Sequence, residues 1–486
     1  MNFILIDFRP VFLVIGLLLI VLSGGMVIPA VVDASLANPD WAAFAASAAF
    51  TLFVGTAMVI TSQNRTPTFS VRQAFLLTTL SWIVLPGFAS LPLMISNLQM
   101  DFTNAFFESM SGITTTGATV IENLAAVSPG TLLWRGILQW LGGLGIIIMA
   151  LTLLPMLRVG GMQMFKVEAF DTQEKILPRA AQLAGALVAL YSGMTLLWTF
   201  LLWIGGMTGL DAVIHAMTTI ATGGYSTRDS SIGYYDSALI DTIVTLGMIA
   251  GSIPFLLYLQ VLRGRPVSLI KDSQVHWFLG ILFFFVAIMV LWLIYAKNMD
   301  LGDAVRFGSF NVVSIMTGTG YSTTNFGLWG SFSLVIMFML MFVGGCAGST
   351  TCGIKIFRFI VLYEAAKVQL ARLLQPHGVF IPYFNNQPIE EGVSGSVMGF
   401  FFLYALSVCV LAVLLSSLGL DFVTAMTGAA SAISNVGPGL GDVIGPTKTY
   451  SSLPDLAKWL LCIGMLLGRL ELYAVFVLLI PRFWRA

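Results

Sequence analysis

Ten windows of about 20 apolar residues recur along this chain, each long enough to cross a bilayer core of about 30 Å as a helix. They lie at 11–31, 41–61, 74–95, 131–157, 181–206, 236–261, 276–296, 329–361, 395–418 and 455–480. The window from 329 is too long for one plain crossing and is interrupted by the glycine-rich piece GGCAGSTTCG. In hydrocarbon every backbone polar group needs a partner inside the protein, so spans of this kind fold as helices. The expected fold class is an all-α polytopic membrane protein with ten transmembrane spans. Composition agrees: 57% of the 486 residues are hydrophobic and 9% charged, whereas soluble domains carry about a quarter charged residues. The first window follows a single positive charge and lacks a small-residue cleavage pattern, so it reads as a retained span.

Lys and Arg set the orientation of such a chain. With the N-terminus cytoplasmic, sixteen of them fall on inner segments and six (Arg135, Arg228, Lys297, Arg306, Lys448 and Lys458) on outer ones. The expectation is both termini inside. Two charged inner loops, 158–180 and 364–393, fit either simple anchoring or a cytoplasmic partner. Net charge is zero, which gives no indication of nucleic-acid binding. Cys346, Cys352, Cys409 and Cys462 have no metal-ligand spacing and read as small buried hydrophobes.

The chain repeats itself four times. After the third, fifth, seventh and ninth windows comes a segment that opens near an aspartate. It runs for about a dozen mostly apolar residues and breaks into a polar strip with glycine. The four are DFTNAFFESMSGITTTGATV (101–120), LDAVIHAMTTIATGGYST (210–227), LGDAVRFGSFNVVSIMTGTGYST (301–323) and LDFVTAMTGAASAISNVGPGLG (420–441). Aligning their polar ends superposes Gly117, Gly224, Gly320 and Gly437. Two extra N-terminal helices (1–72) thus precede four units of span, short segment, span: 73–160, 175–265, 272–363 and 394–486. A dozen helical residues cover about 18 Å and cannot span, so they enter and return, each between two spans. Asp101, Asp211, Asp303 and Asp421 stand near the helix starts, where a carboxylate caps free N–H groups.

The strips carry the chemistry. A dehydrated cation needs oxygen ligands without a bare carboxylate that would trap it, and backbone carbonyls serve. Aiming successive carbonyls inward needs backbone angles that glycine supplies. Four strips in register around one axis make a pore mouth; as separate structures they would be extracellular turns. Glycines at 344, 345, 348 and 353 and the hydroxyls at 349–351 are poor helix interior. That stretch fits an intramembrane loop that occludes the path, and equally a Gly344–Gly348 packing pair. Arg469 stands halfway along the last window, where burial in lipid costs at least about 2.5 kcal/mol, so it should face protein or water. Glu471 is two residues on and faces elsewhere on a helix, making it a poor partner. Glu108 and His215 on the first two short helices read as hydrogen-bonding groups behind the strips rather than as proton carriers.

At these residues the chain resembles the Trk/Ktr/HKT superfamily of K⁺ transporters, most closely its bacterial TrkH/TrkG membrane subunits. The carrying motifs are TTTGAT (114–119), ATGGYST (221–227), TGTGYST (317–323), SNVGPGLG (434–441), GGCAGSTTCGIK (344–355) and GRLE (468–471). The resemblance covers the whole chain, and the two extra helices favour Trk over its eight-span relatives. It implies a pseudo-four-fold pore of re-entrant P-loops in each protomer of a homodimer. It implies a K⁺-binding filter of Thr115, Thr116, Gly117, Thr222, Gly223, Gly224, Gly318, Thr319, Gly320, Asn435, Val436 and Gly437. It implies a gate of Gly344, Gly345, Cys346, Ala347, Gly348, Ser349, Thr350, Thr351, Cys352 and Gly353, with Arg469 facing the pore beside it. In plant relatives a serine at the first filter position accompanies Na⁺ permeation; Gly117 here favours K⁺. Val436-Gly437-Pro438 is the most divergent strand and departs from the TVGYG strip of tetrameric channels.

The implied function is K⁺ uptake across the bacterial inner membrane, regulated by a cytoplasmic Trk-type subunit that binds ATP- or NAD-class nucleotides. This chain carries no Walker A motif and no GxGxxG after a strand, so nucleotide control falls to that partner and no organic cofactor is expected here. A Na⁺-permeable or K⁺/H⁺-coupled relative would share the fold. A polytopic membrane enzyme is the alternative from another class, but His215, His276 and His377 form no HExxH or nucleophile–base pattern.

Overall fold

The computed structural model describes residues 7–63, 70–152, 176–385, 387–390 and 392–484. Two N-terminal helices, α1 (Arg9–Ser35) and α2 (Trp41–Thr61), pack as an antiparallel pair. Gly16 and Gly55 meet at their crossing, where a Cβ on either would lie under 3.0 Å from the other's carbonyl oxygen. Small residues of this kind let membrane helices approach closely.

The helices that follow lie in chain order along the four stretches expected from sequence, with the last helix of the third running on past residue 363. The first holds α3 (Val71–Ala89), α4 (Leu91–Ile95), the short α5 (Phe102–Ile113) and α6 (Pro129–Thr152). The second holds α7 (Ile176–Ile204), the short α8 (Gly209–Ile220), α9 (Ala238–Gly251) and α10 (Phe255–Leu262), followed by α11 (Val267–Lys271). The third holds α12 (Ser273–Lys297), α13 (Leu301–Met316), α14 (Ser331–Leu340) and α15 (Ile356–Leu374). A hairpin follows, β1 (Tyr383–Phe384) against β2 (Gln387–Pro388), with Tyr383 opposite Pro388. The fourth holds α16 (Val393–Ser417), the short α17 (Phe422–Ser434), α18 (Gly441–Ile444), α19 (Asp455–Arg469) and α20 (Tyr473–Leu479).

Among the described residues seven helices are long and apolar enough to cross a membrane, and two bent pairs raise this to nine. The pairs are α9–α10, bent by 94°, and α19–α20, bent by 113°. Both lie in windows expected from sequence as single spans. At the first bend Pro254 has no N–H to continue the helix ladder. At the second, Glu471 and Leu472 take left-handed φ of 60° and 53°. The window 329–361 is divided between α14 and α15, and 341–355 between them is not helical. Gly344 and Gly348 therefore do not form a packing stripe on a helix.

Burial sorts the elements. The long helices 182–204, 273–297 and 393–417 bury 22%, 22% and 33% of their apolar windows, as walls facing hydrocarbon do. The short helices are the reverse: every residue of α5 from Ala105 to Ile113 is buried, as is every residue of α17 from Thr427 to Ser434. The short segments form the centre of the bundle and the spans surround them. Of the two loops expected to meet a partner, 158–175 lies outside the described residues, while 364–393 contains the end of α15 and the hairpin. Cys346, Cys352 and Cys462 are buried as expected; Cys409 is exposed on the wall helix α16.

Candidate functional site

Each short helix begins on a side-chain cap. Asp101 accepts from the N–H groups of Thr103 (3.1 Å) and Asn104 (3.3 Å), and Asp421 accepts from Thr424 (3.1 Å). The hydroxyl and N–H of Thr424 hold the exposed Asp421 carboxyl below the usual carboxylate range. In the middle units the expected aspartates are not the caps. Thr208 caps α8 by accepting from Asp211 N at 3.2 Å, and Asp300 caps α13 by accepting from Gly302 N at 2.9 Å. A cap stands just outside the first helical residue, whereas Asp211 and Asp303 are already inside the first turn. Asp211 accepts instead from the Thr227 hydroxyl at 2.7 Å and pairs with Arg228 at 3.4 Å.

Past each helix the strip turns through two left-handed residues spaced two apart. They are Thr115 and Gly117 (φ 54° and 84°), Thr222 and Gly224 (49° and 76°), Gly318 and Gly320 (69° and 79°), and Asn435 and Gly437 (53° and 104°). Between them, the N–H groups of Thr116, Gly223, Thr319 and Val436 reach back five residues. They donate to the carbonyls of Ser111 (2.9 Å), Thr218 (2.8 Å), Ser314 (2.9 Å) and Ser431 (3.0 Å). The left-handed region costs a non-glycine residue about 1–2 kcal/mol, so Thr115, Thr222 and Asn435 hold it only because their surroundings enforce it.

The strips close on one another. Gly117 faces the carbonyl oxygen of Gly223, Gly224 that of Thr319, Gly320 that of Val436, and Gly437 that of Thr116. A Cβ on any of the four would fall under 3.0 Å from that oxygen. The order of neighbours runs from the first unit through the fourth and back to the first. All four glycines line one cavity of about 90 Å³, walled also by Tyr225, Pro438 and Lys448.

A buried shell holds the strips. Arg135 Nε pairs with Glu108 Oε1 at 2.8 Å, with both side chains out of solvent, and its guanidinium lies 4.1 Å from the Tyr225 ring centroid. Arg135 Nη1 donates to Ser226 O at 3.0 Å, and the Glu108 carboxylate accepts from Val120 N at 2.9 Å. The pair thus ties the strips of the first two units together. Gln139 Nε2 donates to Gly223 O at 2.6 Å while its Oε1 accepts from Tyr225 N at 3.1 Å. The Tyr321 hydroxyl meets the Thr218 hydroxyl at 2.5 Å, and the Tyr450 hydroxyl donates to Gly437 O at 2.7 Å. Asn435 Nδ2 donates to Thr116 Oγ1 at 2.8 Å. His215 has both ring nitrogens engaged, with Asp211 O (2.8 Å) and Ser226 Oγ (3.0 Å).

On the helix side of the ring sits the interrupted piece of the third unit. Its neck is drawn together where Gly344 N donates to Ile354 O at 2.9 Å and Ile356 N to Gly345 O at 3.0 Å. Its tip seats in the bend of the second unit. Cys346 N donates to Ser252 O (3.0 Å), Thr350 N to Gly251 O (3.2 Å) and Phe255 N to Gly348 O (3.0 Å). The Thr350 hydroxyl donates to Ile220 O at 3.0 Å and accepts from Thr222 Oγ1 at 3.1 Å, so the loop touches the strip above it. A broken helix leaves carbonyls and N–H groups without ladder partners, and here the loop supplies them.

Arg469 is the last residue of α19, where a cation also suits the negative helix end. It is 1% exposed. Its Nη1 donates to Thr350 O at 3.3 Å and lies 2.5 Å from Cys352 Sγ, and its Nη2 donates to Gly142 O at 3.0 Å. Its guanidinium stands 5.4 Å from the Trp82 ring centroid. Glu471 pairs with Arg358 instead, and buried Lys355 donates to Thr351 O.

The structure thus gathers the sequence-derived residues into two groups, the ring and the loop with Arg469. Sequence reasoning missed the braces Arg135, Gln139, Tyr225 and Tyr450. Arg135 had been counted as an outer charge, although it sits six residues inside α6 and is as anomalous in a span as Arg469.

The TrkH family, described as cation transport protein, matches residues 41–485. The chain is 44% identical over 477 residues to the Trk system potassium uptake protein TrkI of Halomonas elongata, covering 98% of this chain and 97% of that protein. It is 35% identical over 486 residues to the Trk system potassium uptake protein TrkH of Escherichia coli K12, covering 98% and 99%. The crystal structure of the potassium transporter TrkH from Vibrio parahaemolyticus superposes with a TM-score of 0.91 at 34% identity, covering 99% of this chain and 100% of that one.

Proposed function

The chain belongs to the TrkH family of cation transport proteins, and on that premise we propose that it takes up K⁺ through the ring of strips as part of a Trk system. The observation that carries this reading is the closed order of Gly117, Gly224, Gly320 and Gly437, each against the carbonyl of the next unit. A ring of carbonyl dipoles replaces the hydration shell of a K⁺ ion without trapping it. The filter comprises residues 115–117, 222–224, 318–320 and 435–437, one strand from each of four span–P-loop–span units. The count of ten spans treats the bent pairs and the split window as one crossing each. Glycine at every shared position supports K⁺ over a Na⁺-permeable relative.

The loop 344–353 and Arg469 form the gate. The guanidinium repels cations in the path and fastens the loop through Thr350 O. Glu108, paired with Arg135, and His215, bonded at both nitrogens, are positioning residues and not proton carriers. The protein works as a homodimer in the bacterial inner membrane with both termini cytoplasmic. The nucleotide-binding partner docks on the cytoplasmic loops and works the gate.

Two measurements test this. Expression in a bacterium lacking its own K⁺ uptake, with the partner supplied, restores growth at low external K⁺. Liposomes holding the purified protein take up radiolabelled Rb⁺ in preference to Na⁺, with no need of a pH gradient. Membrane-inserted protein that fails to rescue, or Rb⁺ uptake that requires the gradient, overturns the reading.

A further inference from the structure

Between α1, α3 and α6 lies a cavity of about 370 Å³ that plays no part in the ring or the loop. Its mouth is formed by Leu18, Val21 and Gly145, all exposed, and its inner wall by Trp82, Ile113 and Gly142, all buried. The inner wall is the far side of the gate arginine: Gly142 O accepts from Arg469 and the Trp82 ring lies under its guanidinium. We propose that this cavity is a binding site for one acyl chain of a bilayer phospholipid.

Depth supports this occupant. Leu18 lies nine residues into α1, about 14 Å along it, and Gly145 lies sixteen into α6, about 24 Å. The mouth therefore opens well inside a hydrocarbon core about 30 Å thick, where chain methylenes are the medium that meets Leu18 and Val21. Chemistry supports it too. The two hydroxyls on the wall are spent within their own helix: Thr78 donates to Ala74 O, and Ser81 donates to Thr78 O at 3.0 Å. Such a wall offers little to water, and an apolar cavity of even about 150 Å³ stays dry and takes a hydrocarbon guest. The space is real on the α6 side as well, since a Cβ built on Gly145 meets no atom within 4 Å. A chain seated there is the packing behind Trp82 and Gly142, so the membrane itself backs the groups that hold Arg469.

Photolabelling tests the site. The full-length protein is reconstituted into phosphatidylcholine vesicles that include a phosphatidylcholine with a diazirine midway along one acyl chain. After illumination, the adducts are mapped by peptide mass spectrometry. Adducts are expected on Trp82 and Ile113 as well as on outward residues such as Phe53 and Ile60, each 70% exposed. Labelling confined to the outward residues overturns the proposal. Gly145→Trp fills the cavity and should abolish the inner-wall adducts while Phe53 and Ile60 label as before. Gly145→Leu does the same with a smaller side chain should the tryptophan variant fail to fold. Inner-wall labelling that survives in a filled, monodisperse variant shows the label arriving by another path, and the site falls.

Discussion

The ring at Gly117, Gly224, Gly320 and Gly437 draws one strand from each unit, whereas the loop at 344–353 comes from the third unit alone. Both rely on glycine and hydroxyl residues, yet they are built differently. In the ring the same two backbone positions are left-handed four times over, and each strip is walled by its neighbour's carbonyl. Among the described residues the loop has no counterpart of its kind in the first unit, where α6 runs as a continuous helix to Thr152, and it rests on the second unit through a few hydrogen bonds. A site that surrounds an ion needs equal oxygens on every side. An obstruction needs only one element, and that element must be able to leave. If the ring is the filter and the loop the gate, as proposed, the ring should tolerate almost nothing and the loop a good deal.

The strongest way to break the contrast is a methyl group in the ring. Gly224 has φ of 76°, and its Cβ would fall under 3.0 Å from Thr319 O, a backbone atom. Strain of about 1–3 kcal/mol adds to a clash that only a displaced Thr319 carbonyl relieves. Gly224→Ala is expected to reduce K⁺ uptake to background. Gly193→Ala on the wall helix α7, where a Cβ meets nothing within 4 Å, should match the parent. Normal uptake and normal Rb⁺ over Na⁺ preference in Gly224→Ala would remove the strips from the ion path.

The loop responds in the other direction. Arg469→Ala removes two donations to carbonyls, on Thr350 and Gly142. A hydrogen bond from a charged group contributes about 1.5–3 kcal/mol, and 1.4 kcal/mol is about a tenfold change in an equilibrium. Basal Rb⁺ flux in liposomes without the partner should rise about tenfold or more. Deleting 346–352 should do the same. Unchanged or lower flux from folded protein would mean that the loop is a packing element and that the ring alone controls passage.

The ring could be read from sequence because its demands are local. Glycine, threonine and serine recur at one register, and GYST appears twice, so four strips align without any knowledge of contacts. The loop was half legible. Its glycines announced a broken helix, but its seat on Ser252 lies about ninety residues away in the chain and only packing brings it there. Pro254 marked the first bend openly enough. The bend after Arg469 carries neither glycine nor proline; Glu471 is held left-handed where it pairs with Arg358, and no local signal tells of that. The caps failed for a related reason. Asp211 and Asp303 lie close enough to the helix starts to look like caps, and one turn of difference decides which residue stands outside the helix. Arg135 was misjudged because topology counted its charge without asking what Glu108 needed.

The smallest expected effect sharpens the contrast most, because it separates the ring's own geometry from its bracing. Gln139 reaches from the first unit into the second strip, donating to Gly223 O at 2.6 Å and accepting from Tyr225 N at 3.1 Å. Gln139→Leu keeps the volume and removes both bonds. A typical bond contributes about 0.5–1.5 kcal/mol, so if the one to Gly223 O alone bears on the ion the Rb⁺ over Na⁺ flux ratio should fall about two- to tenfold, by the conversion of 1.4 kcal/mol to tenfold. Basal gating should stay as in the parent, since Gln139 makes none of the loop's hydrogen bonds recorded above. Gln139→Glu divides the effect: a carboxylate still accepts from Tyr225 N but has no proton for Gly223 O. If the ratio falls with Glu as far as with Leu, the bond to Gly223 O is the one that matters. If neither variant moves it, the left-handed pair Thr222 and Gly224 shapes the strip unaided, and the shell around the ring serves stability and not selectivity.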